Sequence, residues 1–177
     1  PLTSSAASDV YKRQEHVLRE LHLPAFEKAI SQGAKTIMIN SGLINGIPVH
    51  ADRYLLTDLL RDELGFDGII LTDWEDINKL HDRDKVAESR KEAIKIAINA
   101  GIDMSMIPYD YEEFCDNLLE LVKEGEISET RIDESVRRIL KLKIELGLFD
   151  KKNKPDYIDF GSQKHQNYAY DAAVESM

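Results

Sequence analysis

The chain has 177 residues, 42% of them hydrophobic, enough to bury a core of one domain or of a piece of a larger one. Its 23 basic and 33 acidic residues give a net charge of −10 with no basic stripe, which excludes a nucleic-acid surface, and no apolar run approaches the roughly 20 residues of a membrane span. One cysteine, Cys115, and five scattered histidines (His16, His22, His50, His81, His165) exclude an internal disulfide and offer no metal-ligand spacing.

Residues 1–14 (PLTSSAASDVYKRQ) are small, polar and aperiodic, and they meet a strongly patterned region without a cap or turn. They resemble translated adaptor sequence more than a targeting peptide, which would carry an apolar core. They are therefore expected to be a non-native leader outside the fold. With no native N-terminus in view, the compartment stays open.

From residue 15 onward, strand and helix patterns alternate. Leu23-Pro24 puts proline at a first-turn position, and Phe26, Ile30 and Gly33 predict a short helix. Residues 36–40 (TIMIN) read as a strand, and 41–48 as a loop carrying Asn45-Gly46 and Pro48. Leu55, Leu56, Leu59, Leu60 and Leu64 predict an apolar helical stripe ended by Gly65. Residues 68–73 then form a short apolar strand, and 75–85 a polar loop.

Ala93, Ile94, Ala97 and Ile98 mark the next helix, and residues 102–107 a third strand stopped by Pro108. Asp110 with Glu113 suggests a capping box for a helix lined by Phe114, Leu118, Leu121 and Val122. Ser128 caps a longer helix carrying Ile132, Val136, Ile139 and Leu140, closed by Gly147. Residues beyond 150 turn polar, as a linker does, and a last helix is expected from about Tyr168.

Three strands alternating with helices indicate an α/β chain with a parallel sheet. The expected architecture is a partial (β/α)8 TIM-type barrel, its last strand–helix units over residues 15–150. A linker and the start of a truncated second domain are expected over 151–177. An open doubly wound sheet is the alternative, but the glycine-rich phosphate fingerprint is absent and no cofactor is indicated.

The most informative segment is Gly65-Phe66-Asp67-Gly68-Ile69-Ile70-Leu71-Thr72-Asp73-Trp74. A short apolar run opened by Asp67-Gly68 suits a strand buried on both faces. A carboxylate at its C-terminal tip stands where barrel enzymes keep their chemistry, and an aromatic beside it suits the apolar face of a sugar. The alternative is that Asp73 caps the next helix and Trp74 fills a core gap. Among other carboxylates, Glu75 and Asp76 are expected to be solvated or paired with Lys79, and Asp103 to be buried in hydrogen bonds.

Read together, these motifs resemble glycoside hydrolase family 3, particularly its β-glucosidase-like members. The resemblance rests on Gly68-Ile-Ile-Leu-Thr-Asp73-Trp74 and on three further motifs in order. These are residues 19–26 (RELHLPAF), residues 38–41 with 44–51 (MINS, INGIPVHA) and residues 100–106 (AGIDMSM). It implies a retaining exo-acting β-glycosidase that removes terminal β-linked glucose or xylose from an oligosaccharide or glycoside. Asp73 would be the nucleophile, Trp74 the wall of the sugar pocket, and Met38 and Ser41 further sugar contacts.

Many members carry tyrosine where Ser41 stands, so altered contacts are expected at that position. The family's other sugar-gripping residues lie upstream of this sequence and its acid/base carboxylate downstream. The resemblance therefore implies a fragment, inactive alone, and a periplasmic or secreted location for the parent. The family's β-N-acetylhexosaminidase branch is the nearest alternative, although it usually carries an acidic residue where Trp74 stands. A non-catalytic barrel or scaffold domain is the alternative from another class.

Overall fold

The computed structural model describes residues 15–150 and 157–176; the proposed leader and the first part of the proposed linker lie outside them. The chain divides into two compact units, residues 1–142 and 143–177.

The first unit opens with α1 (Glu15–Val17), a π-helical turn (Leu18–His22) and α2 (Leu23–Ser31), with Pro24 in the first turn as expected. Strand β1 (Thr36–Met38) follows. The expected loop after it contains a small antiparallel hairpin, β2 (Leu43–Ile44) with β3 (Ile47–Pro48). Asn45 and Gly46 both take positive φ, 55° and 85°, which is what a two-residue hairpin turn demands.

A 3-10 turn (Val49–Ala51) leads to the leucine-rich helix, which is π-wound over Tyr54–Glu63. Its winding differs from the regular helix the sequence predicts. The Leu64 N–H donates to the Leu59 carbonyl five residues back. The wider winding still buries Leu56, Leu59 and Leu60 on one side.

Strand β4 (Ile69–Trp74) is central, parallel to β1 on one side and to β5 (Met104–Met106) on the other. Gly68 permits the entry into this ladder: a Cβ there would collide with the Lys35 carbonyl oxygen, which accepts the Ile69 N–H at 3.0 Å. The register sets Met38, Leu71 and Met104 in one row across the three strands. Met38 and Met104 on the outer strands are each about half exposed, at 51% and 49%.

Between Leu71 and Trp74 the β4–β5 register shifts, with three steps on β4 facing two on β5. That extra residue makes a bulge, a device that re-aims side chains. The buried Thr72 hydroxyl accepts the Met106 N–H at 2.8 Å across it.

Helices cover the other face of the sheet. The expected polar loop 75–85 contains α3 (Asp76–Asp82), which buries Ile77 and Leu80 against the core. Helix α4 (Arg90–Ala100) is capped by Ser89, whose Oγ accepts the Glu92 N–H at 3.1 Å. Its Ala93, Ile94, Ala97 and Ile98 pack with Ile70 and Ile102, as the periodicity predicts. Fully burying one such isoleucine contributes roughly 1.5–3 kcal/mol.

In α5 (Tyr111–Lys123) the expected capping box does not form. Asp110 makes no cap, and both Asp110 and Glu113 accept from Arg90, at 2.8 and 3.2 Å. A guanidinium within reach offers a stronger partner than a neutral backbone amide. Ser128 does cap α6 (Glu129–Glu145), accepting the Arg131 N–H at 3.2 Å.

In the second unit, the rings of Tyr157 and Phe160 meet edge to face at 6.5 Å. Helix α7 (Gln163–Glu175) starts ahead of Tyr168 because the Ser162 hydroxyl caps it. Among the described residues, no helix is long and apolar enough to cross a membrane.

Candidate active site

The site is built at the C-terminal end of β4, where the bulge delivers Asp73 beside the loop after β1. Asp73 Oδ1 accepts the N–H of Trp74 at 2.7 Å, and Oδ2 lies 3.5 Å from the Ser41 hydroxyl. Glu75 is the N-cap of α3 and makes no side-chain cap bond, so Asp73 serves no such function there. Glu75 takes the left-handed conformation (φ 56°), and its N–H donates to the Met106 carbonyl at 2.9 Å. This reversal turns Asp76 back beneath the strand tip.

Asp76 is 2% exposed and heavily bonded. It accepts from Ser41 Oγ at 2.5 Å through Oδ2 and from Lys79 Nζ at 2.5 Å through Oδ1. His50, buried in the 3-10 turn, brings Nε2 to 3.5 Å from Oδ2. Pairing with Lys79 is as the sequence suggests; solvation is not, because α3 buries this residue. Burial pushes the His50 imidazole below its ordinary value, against the pull of Asp76, so the ring is neutral near pH 7.

The loop holding Ser41 is pinned from both sides. Asn40 Oδ1 accepts the Gly42 N–H at 2.6 Å, and the Ser41 carbonyl accepts from Arg83 Nη2 at 3.0 Å. Trp74 is 49% exposed and therefore fills no core gap; its ring meets Tyr109 edge to face at 6.0 Å and 79°. Met38 ends β1 beside Leu71, two residues before Asp73.

Of the residues singled out from sequence, the structure brings Asp73 and Ser41 into contact and sets Trp74 and Met38 on the same strand ends. Sequence reasoning expected of Asp76 only solvation or pairing with Lys79, and singled out neither His50 nor Tyr109 as a site residue. The available signal was the apolar pair Ile77 and Leu80 inside an otherwise polar stretch, which marks one short helix with Asp76 at its start.

Chemically, the arrangement offers a carboxylate oriented through one oxygen, a second oxygen beside a hydroxyl, and an aromatic face at the opening. Asp76 is buried and ion-paired, so it is not placed to protonate a departing oxygen. A separate cavity of about 740 Å³ opens at the other end of β4, lined in part by Arg61, Arg131 and Arg138; Asp73 takes no part in it.

The model of the Glycosyl hydrolase family 3 N terminal domain matches residues 3–142. A lysosomal beta glucosidase of Dictyostelium discoideum is 52% identical over 136 residues, which cover 76% of this chain and 16% of that protein. A beta-xylosidase of Formosa agariphila is 35% identical over 178 residues, covering 96% of this chain and 24% of its own length.

Among solved structures, a beta-glucosidase from Listeria innocua superposes with a TM-score of 0.74 at 33% identity, covering 92% of this chain and 23% of the other. An exo-1,3/1,4-beta-glucanase from a Pseudoalteromonas species gives 0.73 at 36%, over 90% and 20%. The chain spans about a quarter or less of each of these proteins. With the family model matched across nearly all of the first unit, the chain belongs to glycosyl hydrolase family 3, in its N-terminal domain.

Proposed function

We propose that this chain is the nucleophile-bearing section of a retaining, exo-acting β-glycosidase that releases terminal β-linked glucose or xylose. The observation that carries this reading is Asp73: a carboxylate at the tip of the central parallel strand, one oxygen pinned by the Trp74 N–H, beside a half-exposed tryptophan. The names of the relatives, beta glucosidase and beta-xylosidase, agree in substrate class.

In this reaction Asp73 attacks the anomeric carbon as the glycosidic C–O bond breaks, forming a glycosyl–aspartate ester. A carboxylic acid elsewhere in the protein protonates the leaving oxygen, and water then hydrolyses the ester. Trp74 supplies the apolar wall of the sugar site, and Met38 and Ser41 line it.

The three-stranded sheet is read as part of a (β/α)8 barrel. Strands β1 and β5 are edges as they stand, and the half-exposed row of Met38 and Met104 is the kind of apolar surface a barrel interior covers. Upstream strands, a downstream domain joined through residues 151–177, and the acid they carry complete the enzyme. Residues 1–14 are proposed to be dispensable.

The test is covalent trapping in the full-length protein. A 2-fluoro-β-glucoside that accumulates the ester is expected to label the peptide holding Asp73. Label on Glu75, Asp76 or Asp103 would overturn the assignment.

A further inference from the structure

The Ser41 hydroxyl has one proton and two carboxylates within reach. Its oxygen lies 2.5 Å from Asp76 Oδ2 and 3.5 Å from Asp73 Oδ2, and a hydrogen bond at the longer distance is weak. The proton therefore belongs to Asp76. Charged and titratable groups gather around the pair from each neighbouring element: His50 from the 3-10 turn, Lys79 from α3, and Arg83 from the cap of that helix.

Resting on the assignment of Asp73 as nucleophile, we propose that Asp76 is a positioning residue that draws the Ser41 proton away from Asp73. The two oxygens of Asp73 are then unlike. Oδ1 fixes orientation through the Trp74 N–H, and Oδ2 keeps its electron pair for the anomeric carbon. A donated proton at Oδ2 would stabilise the carboxylate and blunt its attack. Serine is small enough to sit between two carboxylates, which gives the hydroxyl at this position a role distinct from sugar contact.

The test uses Asp76→Asn in the full-length protein. Lys79 is a pure donor and selects the amide oxygen at the Oδ1 position, which turns the amide NH₂ toward Ser41. Ser41 must then accept, and its proton turns to Asp73. The expected result is a fall in kcat of about tenfold on a chromogenic β-glucoside, with KM within about twofold. The acid limb of kcat/KM also moves to lower pH.

In a Ser41→Ala background, adding Asp76→Asn removes only a neighbouring negative charge, so the acid limb is expected to move to lower pH by less than Asp76→Asn moves it when Ser41 is present. Equal effects of Asp76→Asn in both backgrounds would overturn the proposal, because a purely structural role does not depend on Ser41. If Asp76→Asn fails to fold, Ser41→Ala decides alone. The limb staying in place supports the proposal, and a shift to higher pH places the proton on Asp73 and overturns it. Covalent labelling separates the two claims. Label away from Asp73 overturns the nucleophile assignment and this proposal with it, whereas label on Asp73 with an unmoved limb in Asp76→Asn overturns the proposal alone.

Discussion

Two buried carboxylates stand at opposite ends of β4, and they are held in different ways. Asp103, just before β5, accepts the Ile70 N–H at 3.0 Å, Ser135 Oγ at 2.7 Å and Arg138 Nη1 at 2.9 Å, and it pairs with Arg61 and Arg131. Those arginines are themselves anchored. Arg61 donates to the Phe66 and Gly68 carbonyls, each at 3.1 Å, and Arg131 to the Ile98 and Ile102 carbonyls at 3.0 and 2.7 Å.

At the other end, Asp76 relies on a lysine that is 32% exposed and on the Ser41 hydroxyl, while the neutral His50 lies 3.5 Å away with no hydrogen bond to its Nε2 among the described residues. At the first carboxylate Arg61 and Arg131 are locked onto backbone carbonyls, whereas at the second the Lys79 ammonium reaches solvent and the Ser41 hydroxyl can turn. Saturated networks of fixed donors specify structure, and adjustable ones leave room for chemistry.

Stability should divide along this line. Asp103→Ala strands three guanidiniums with no carboxylate between them, and unfolding in urea should show a loss of about 3–5 kcal/mol. Asp76→Ala should cost about 1–3 kcal/mol, since Lys79 can swing to water and His50 carries no charge to strand. Equal losses would break the distinction.

A sharper test lies at the mouth of the site. Trp74→Ala in the full-length protein should weaken a glucose-like inhibitor by about 1–3 kcal/mol by calorimetry, the scale of a lost aromatic contact. It should change unfolding free energy by no more than about 0.5 kcal/mol, because half of the ring already faces solvent. Unchanged inhibitor affinity in the folded variant would remove Trp74 from the sugar site.

The smallest effect concerns pH. Burial lowers the His50 imidazole in the folded chain, while the unfolded chain titrates near the ordinary value of about 6.5. Below that pH the unfolded state binds a proton that the folded state refuses, so stability falls as pH drops, by up to about 1.4 kcal/mol per unit. His50→Gln removes this component. Urea titrations at pH 7 and below 6 should therefore show a smaller acid-side loss in the variant than in the natural chain, and equal losses would mean His50 is protonated in the fold.

The amino-acid sequence determined a parallel sheet of three strands alternating with helices and the place of Asp73 and Trp74 together at a strand tip. Those features are local: an apolar run bounded by Asp67-Gly68, leucines and alanines at helical spacing, glycines and serines at the ends. Burial of Asp103 was also readable, as a charge on an apolar strand with nowhere to go but a hydrogen-bonded interior.

Only the tertiary structure decided the bulge between Leu71 and Trp74, since register depends on how β5 pairs with β4 and not on either strand alone. It also decided which carboxylates take the cations. Asp110 and Glu113 read as a cap, yet Arg90, 20 residues upstream of Asp110, reaches both of them. Asp76 reads as a loop carboxylate, yet a left-handed turn at Glu75 folds it under Ser41, 35 residues earlier in the chain. Contacts across such separations carry no periodicity for a sequence to display, and they are what sets Ser41 between two carboxylates.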